Sequence, residues 1–371
     1  MPLKLCLTAP MTEDRGCILE QYIAYIGTNA TGENGGIRVA SVNPATGALS
    51  IVQHLQNFDA PAYPAISHDR MHMLSGLTNP LAPVPQKGML AILSIAPDGT
   101  LSPINAVPAV CQNSTCHVCF SPDKRFAYAA HYFEGRTSAY AISSDASLWG
   151  PIQLIQHEGC GPTMPFQTSA HVHYCRFTPD GKYLCCVDLG LDIIRLYKPD
   201  EYGQLSHVRD IPVVHGAGAR HLVFSPDGKF CYVVSELASL VTTFSYNDGE
   251  FFLLETVSTQ TVEPKEEKSS SAIRISPDGR FLFIGNRFVN NISVFKLEDG
   301  IPRLLSNVSC LFPRDLNILP NGKFLYVCGQ RDDAIEIFSF NSKTGELIPT
   351  GERFTAPIPT CIEFLSVNTG C

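Results

Sequence analysis

No stretch of this chain approaches the roughly 18 consecutive apolar residues that a membrane-spanning helix requires. Positive charge is short as well: 27 Lys and Arg against 35 Asp and Glu leave a net charge of −8. That balance argues against a general binder of nucleic acid or anionic membrane, while leaving room for a local cluster of arginines. The opening MPLKLCLTAPMTEDRG has one Lys and a very short apolar run before its acidic residues, which makes a poor signal peptide. Fourteen cysteines without such a signal point to reduced thiols and a cytoplasmic setting. A metal framework is missing too. Cys116-His117-Val118-Cys119 has no second C-x-x-C to complete it, and residues three apart on a strand point to opposite faces. No cofactor is expected.

What the chain does have is turns. With 27 Pro and 28 Gly spread through 371 residues, long helices are disfavoured. The 44% hydrophobic content is that of a packed protein. One turn motif recurs at intervals of about 43 to 57 residues, the range of four-stranded propeller blades. Its members are Ser67-His68-Asp69-Arg70, Ser121-Pro122-Asp123-Lys124, Thr178-Pro179-Asp180-Gly181, Ser225-Pro226-Asp227-Gly228, Ser276-Pro277-Asp278-Gly279 and Leu319-Pro320-Asn321-Gly322. Each sits between short apolar, β-branched and aromatic runs, so each reads as a hairpin turn. A second series of the form acidic/Thr–Gly–x–apolar lies between them, at Thr46, Asp98, Asp145, Tyr202, Asp248, Asp299 and Thr344.

With four strands a to d in a unit, the first series marks the a–b turn and the second the c–d turn. Seven c–d turns with six a–b turns leave one unit without its own strand a. The first unit is the one, because it opens at Tyr22–Gly27 in the manner of a strand b. A spare strand, Thr360 to Phe364, follows the last c–d turn. The prediction is an all-β, seven-bladed propeller of four-stranded antiparallel blades, closed by pairing the C-terminal strand with the N-terminal blade. Residues 1–21 are expected to be an extension and 22–371 a single domain. A closed propeller needs no partner, so a monomer is expected.

The turns set the register, so equivalent positions can be compared. Six residues before the turn proline, strand a reaches the end of the hairpin away from the turn. There His173 is expected to face Asp188, and Arg220 to face Ser235 and Glu236. Ser271 should face Asn286 and Arg287, and Arg314 should face Gly329 and Gln330. Blade 3 contributes Cys116 and His117 with His131 and Tyr132, and His221 adjoins Arg220. Strand a lines the channel of a propeller, so these groups should converge at one mouth. The long connections His157–Ala170 and Gln260–Ser270 are candidates to wall it. Taken singly, Arg220 and Glu236 could be a plain ion pair, and Asp188 could serve only to orient His173 or bind backbone N–H groups. His171 and His173 share a strand face but lack a clear third ligand for a metal. Collectively the residues describe an anion-binding pocket with a titratable group inside it.

With these residues in hand, the chain resembles the propeller-type 6-phosphogluconolactonase family, itself similar to fungal carboxy-muconate lactonizing enzymes. The resemblance runs from Tyr25 to Leu365. It is carried by YIGT (Tyr25–Thr28), HEGCGP (His157–Pro162), HVHYCRFTPDGKYLCCVDLG (His171–Gly190), GAGARHLVFSPDG (Gly216–Gly228), AIRISPDGRFLFIGNR (Ala272–Arg287) and FPRDLNILPNGKFL (Phe312–Leu325). It implies metal-free hydrolysis of a phosphorylated sugar lactone in the pentose phosphate pathway. The catalytic set it implies is His173, Arg220, Glu236 and Arg287. His171, His221, Arg314, Gln330, His117, His131 and Asp188 are the candidates for substrate binding. Lactonization of an unsaturated diacid and a non-catalytic binding propeller are the competing readings.

Overall fold

The computed structural model describes residues 20–79, 81, 87–263 and 267–368. They form seven sheets of four antiparallel strands, each following the chain in order except the first. In that sheet the last strand, Pro359–Asn368, pairs with Glu20–Thr28, which is followed by Ile37–Val42 and Leu49–Leu55. The register runs from Glu20 opposite Asn368 to Thr28 opposite Pro359, so the predicted closure is present over the full strand. The expected N-terminal extension falls outside the described residues as far as residue 19. Glu20 and Gln21 already belong to the first strand, two residues ahead of the expected boundary.

The six a–b turns work as their chemistry suggests. In five of them the Ser or Thr hydroxyl donates to the Asp two residues on, at 2.6 Å each time. The same carboxylate accepts the N–H two residues further on, just ahead of strand b, for example that of Lys229 at 3.2 Å. The fourth turn residue has positive φ throughout, between 61° and 72°. Glycine holds it in four turns, while Arg70 and Lys124 hold it in the first two at the steric cost L-residues incur there.

The second glycine series joins neighbouring blades. Tyr25, Tyr128, Tyr232 and Tyr326, each on a strand b, donate their hydroxyls to the carbonyls of Gly99, Gly203, Gly300 and Gly47 in the c–d turn of the next blade. The last of these spans the ring closure. Close approach explains the glycine: a Cβ at Gly203 would lie 2.2 Å from the Phe126 ring.

Between each pair of adjacent blades lies one apolar cluster, seven in all among the described residues. Strands b are buried on both faces, as in Phe324–Gly329, whereas outer strands d are largely exposed, as in Leu205–Pro212. Cys185, Cys186, Cys231 and Cys328 are fully buried, the small core residues their apolar surroundings suggested, and all eleven described cysteines are free thiols. No helix among the described residues is long and apolar enough to cross a membrane.

The closing strand carries part of the core between the first and last blades, with Ile362 fully buried. Ile362→Ala should lower the free energy of unfolding by about 2–5 kcal/mol in urea titrations. Ile348→Ala, on an outer strand and half exposed, should change it by no more than about 0.5 kcal/mol. Equal effects would mean that the terminal strand is not part of the cooperative fold.

Candidate active site

The inner strands of blades 4 to 7 share an irregularity. Their pairing shifts between Val172 and Tyr174, Ala219 and His221, Ser270 and Ile273, and Pro313 and Asp315. His173, Arg220 and Arg314 therefore fall inside β-bulges. Bulged residues leave the ladder, and the strand bends to re-aim their side chains. The expected pairing of His173 with Asp188 is corrected by one residue, since Val172 occupies that place. Likewise Ala219 faces Ser235, Ser270 faces Asn286, and Pro313 faces Gly329.

The bulged side chains open onto a cavity of about 560 Å³ at one mouth of the channel, lined among others by Cys116, His173, Arg220, His221, Glu236, Arg287 and Arg314. Glu236 is its electrostatic centre. One carboxylate oxygen accepts from Arg220 Nε at 2.8 Å and the other from Arg287 Nη2 at 2.6 Å. Burial alone pushes the Glu236 carboxyl up, but Arg287, Arg220 and Arg314 outweigh it and hold the group below the usual range. Arg287 also donates to Ser269 Oγ at 2.6 Å, and Arg220, only 1% exposed, reaches His221 Nε2 at 3.2 Å. Arg314 has no hydrogen-bond or ion-pair partner among the described residues. Burial, followed by the charges of Arg220 and Arg287, brings its guanidinium down to about 9. Three guanidinium groups thus meet one carboxylate.

His173 stands beside this cluster, with Cys116 Sγ 3.4 Å from its Nδ1. Burial, followed by Arg220 and Arg314, keeps His173 well below its ordinary value, so its imidazole is neutral. Burial also raises the Cys116 thiol, which is therefore a weak donor to the ring and not a thiolate nucleophile. Cys116 occupied the informative register position in the sequence, but its contact with His173 spans two blades and could not be read there.

Of the eleven candidate residues, His173, Arg220, His221, Glu236, Arg287 and Arg314 line this cavity; the other five do not. His117 sits deeper, its ring against Tyr174 and Tyr63, with centroids 3.9 and 4.5 Å away, and lines the opposite opening. His131 bonds Ser138 Oγ at 2.7 Å. His171 lies before its strand, stacked on Tyr132 with Nδ1–H donating to the Tyr132 carbonyl, and so does not share a strand face with His173. Asp188 accepts the N–H groups of His171, Gly190 and Leu191 and bonds His157 Nδ1 at 2.8 Å, the structural alternative raised for it. For Gln330 the backbone N–H, donating to Phe312, is what the structure shows.

The expected walls are also corrected. Asn29, Thr31, Ala60, Ala62, Asn113–Cys116 and Tyr132–Phe133 line the cavity, whereas no described residue of His157–Ala170 or Gln260–Ser270 does. Gln167 ties the Leu189 carbonyl and Asp192, Gln260 pairs with Asn291, and of the second loop Ser269 supports the site from behind by accepting from Arg287.

Fold and site together define a closed propeller with an arginine-lined channel mouth. The chain belongs to the seven-bladed β-propeller lactonase family, whose model matches residues 23–364. It is 29% identical over 354 residues to the 6-phosphogluconolactonase of Bacillus subtilis, covering 94% of this chain and 99% of that one. An uncharacterized protein of Staphylococcus saprophyticus is 32% identical over 355 residues, covering 92% and 98%. Among solved structures, the periplasmic gluconolactonase of Pseudomonas aeruginosa matches with a TM-score of 0.87 at 25% identity, covering 94% of this chain and 99% of that one.

The buried histidines predict an acid response. Burial holds His117, His173 and His221 well below the ordinary value and His131 down to about 3, with nearby arginines adding to each shift. In the unfolded chain they titrate near pH 6.5. Below that pH the unfolded chain binds protons that the folded one refuses, so stability is retained above about 6.5 and falls as the pH drops. The slope is at most about 1.4 kcal/mol per pH unit for each histidine. Urea midpoints measured from pH 7 to 5 should fall steadily; a flat profile would show that these rings accept protons in the folded state.

Proposed function

We propose that the protein hydrolyses a small anionic sugar lactone, with 6-phospho-D-glucono-1,5-lactone the first choice. The observation that carries this reading is the charge surplus at the channel mouth: three guanidiniums, one carboxylate, and Arg314 without a partner among the described residues. A phosphate monoester brings about −1.5 to −2 at neutral pH, which matches that surplus. The full-length similarity to a 6-phosphogluconolactonase supports the same substrate class.

In this reading Arg314 takes the phosphate, a task suited to a planar guanidinium with free donors. Arg220 and Arg287, locked by Glu236, present fixed positive charge to the lactone carbonyl and stabilise the oxyanion that forms on water attack. Both Glu236 oxygens are engaged and the carboxyl is held below its usual range, so Glu236 positions the arginines and is a poor base. His173 is the remaining acid–base group. Its neutral imidazole takes the proton of the attacking water and delivers it to the ring oxygen as the C–O bond breaks, giving the open-chain hydroxy acid. The bound phosphate offsets the arginine charges that depress His173, and so strengthens the base when substrate is present.

The test couples release of 6-phosphogluconate to a spectroscopic readout, corrected for spontaneous ring opening. Wild type should exceed the buffer rate, and His173→Ala should lose about a hundredfold in kcat with KM nearly unchanged. Arg314→Ala should act mainly on KM for the phosphorylated lactone, and much less on unphosphorylated glucono-1,5-lactone. A wild-type rate equal to buffer would dispose of the phosphogluconolactone assignment. Equal loss on both lactones would remove the phosphate-binding role of Arg314.

A further inference from the structure

A cluster of metal-ligating groups lies behind two walls of the cavity. Cys111 belongs to the connection between blades 2 and 3, His131 ends strand b of blade 3 (Phe126–His131), and Glu134 lies in the turn that follows. One ligand atom from each, the Cys111 sulfur, a His131 ring nitrogen and a Glu134 carboxylate oxygen, lie within 4.8 Å of one another. Cys111 is 2% exposed and His131 1% exposed, so this is not a solvated surface set.

The hydrogen bonds point to a ligand. His131 Nε2 is engaged by Ser138 Oγ at 2.7 Å, and Ser138 in turn donates to the Tyr140 hydroxyl at 3.1 Å. The Ser138 oxygen therefore accepts from Nε2–H, which places the lone pair on Nδ1. That Nδ1 is buried and has no hydrogen-bond partner. A hydrogen bond to one ring nitrogen that fixes the other as a bare donor is the arrangement of metal-bound histidines. Glu134 uses one oxygen to accept the Gln112 N–H at 2.7 Å, which anchors the carboxylate and leaves its second oxygen available. The Arg136 guanidinium is directed to Gln156 Oε1 and the Val110 carbonyl and does not pair with Glu134. Gly88 makes room for the sulfur, since a Cβ there would stand 2.1 Å from Cys111 Sγ.

We infer that Cys111, His131 and Glu134 form a binding site for a borderline-soft divalent cation of the zinc class. Mixed S, N and O ligands suit that class, and bonds of about 2.0–2.3 Å require only a modest contraction of the cluster. Coordination takes the place of the hydrogen bond that the Cys111 thiol donates to the Asn113 carbonyl at 2.8 Å, releases the thiol proton to solvent, and leaves the fourth tetrahedral position to water. The consequence is positional. Asn113–Cys116 and Tyr132–Phe133 line the cavity, and the ion would pin the bases of both segments together. This does not rest on the lactonase reading and assigns the metal no chemical step.

The experiment titrates reduced full-length protein with Co2+, then displaces it with Zn2+. One equivalent should give a thiolate-to-cobalt charge-transfer band that Zn2+ removes. Cys111→Ser should abolish the band, and Glu134→Gln should weaken binding at least about tenfold. Cys160→Ser, at an exposed thiol, should leave it intact. Zn2+ should also raise the thermal midpoint of wild type more than that of Glu134→Gln. If Cys111→Ser does not fold, Glu134→Gln decides alone. No band, a band that survives Cys111→Ser, or unchanged affinity in Glu134→Gln overturns the site and leaves adventitious binding by other cysteines.

Discussion

The pairing of Pro359–Asn368 with Glu20–Thr28 is the constraint on which everything else in this molecule depends. Without it the first blade has three strands and an open edge, and the apolar cluster between blades 7 and 1 loses Ile362. With it the ring has a defined circumference, and the inner strands stand at fixed distances around one channel. The hydroxyl of Tyr326 reaching Gly47 across the junction shows that the closure repeats the contacts used between other blades. The cavity draws on both ends of the chain: Asn29 and Thr31 come from the first blade, and Thr360 from the closing strand.

Inside that frame the site is an exercise in unfinished charge neutralisation. Bringing three guanidiniums out of water is costly unless each finds a partner. Glu236 satisfies two of them and, in doing so, fixes their orientation. Arg314 is left over, and burial together with the same surplus charge keeps His173 neutral. In the proposed reaction an anionic ligand would relieve both conditions at once, linking substrate binding to the strength of His173 as a base. The β-bulges make this possible. They take His173, Arg220 and Arg314 out of the ladder, so that polar side chains can converge without breaking the pairing that holds each blade.

Much of this was legible from residues close together in the chain. The a–b turns rest on a hydroxyl, a carboxylate and a positive φ within four residues, and such local chemistry shows in sequence. The count of turns then exposed the spare strand and so the closure. The polar ends of the hairpins pointed to His173, Arg220, Glu236, Arg287 and Arg314, which line one cavity. His131 and Asp188, which end their strands b, bond within the blades instead, to Ser138 and to His157 and backbone N–H groups, and Gln330 does not line the cavity. The notable length of His157–Ala170 and Gln260–Ser270 was likewise a poor guide, since Gln167 and Gln260 bond to the blades that follow them and only Ser269 reaches a site residue, Arg287, from outside the cavity.

The sequence by itself determined the repeat, the number of blades, the manner of closure and which residue types stand at the channel end. These follow from turn chemistry and period-two alternation, which act between near neighbours. Only the tertiary structure decided which side chains meet. A bulge shifts pairing by one residue and changes the direction of a side chain, with no distinctive residue to announce it. Contacts such as Cys116 with His173, or Cys111 with His131 and Glu134, join segments whose separation is set by how blades pack around a closed ring.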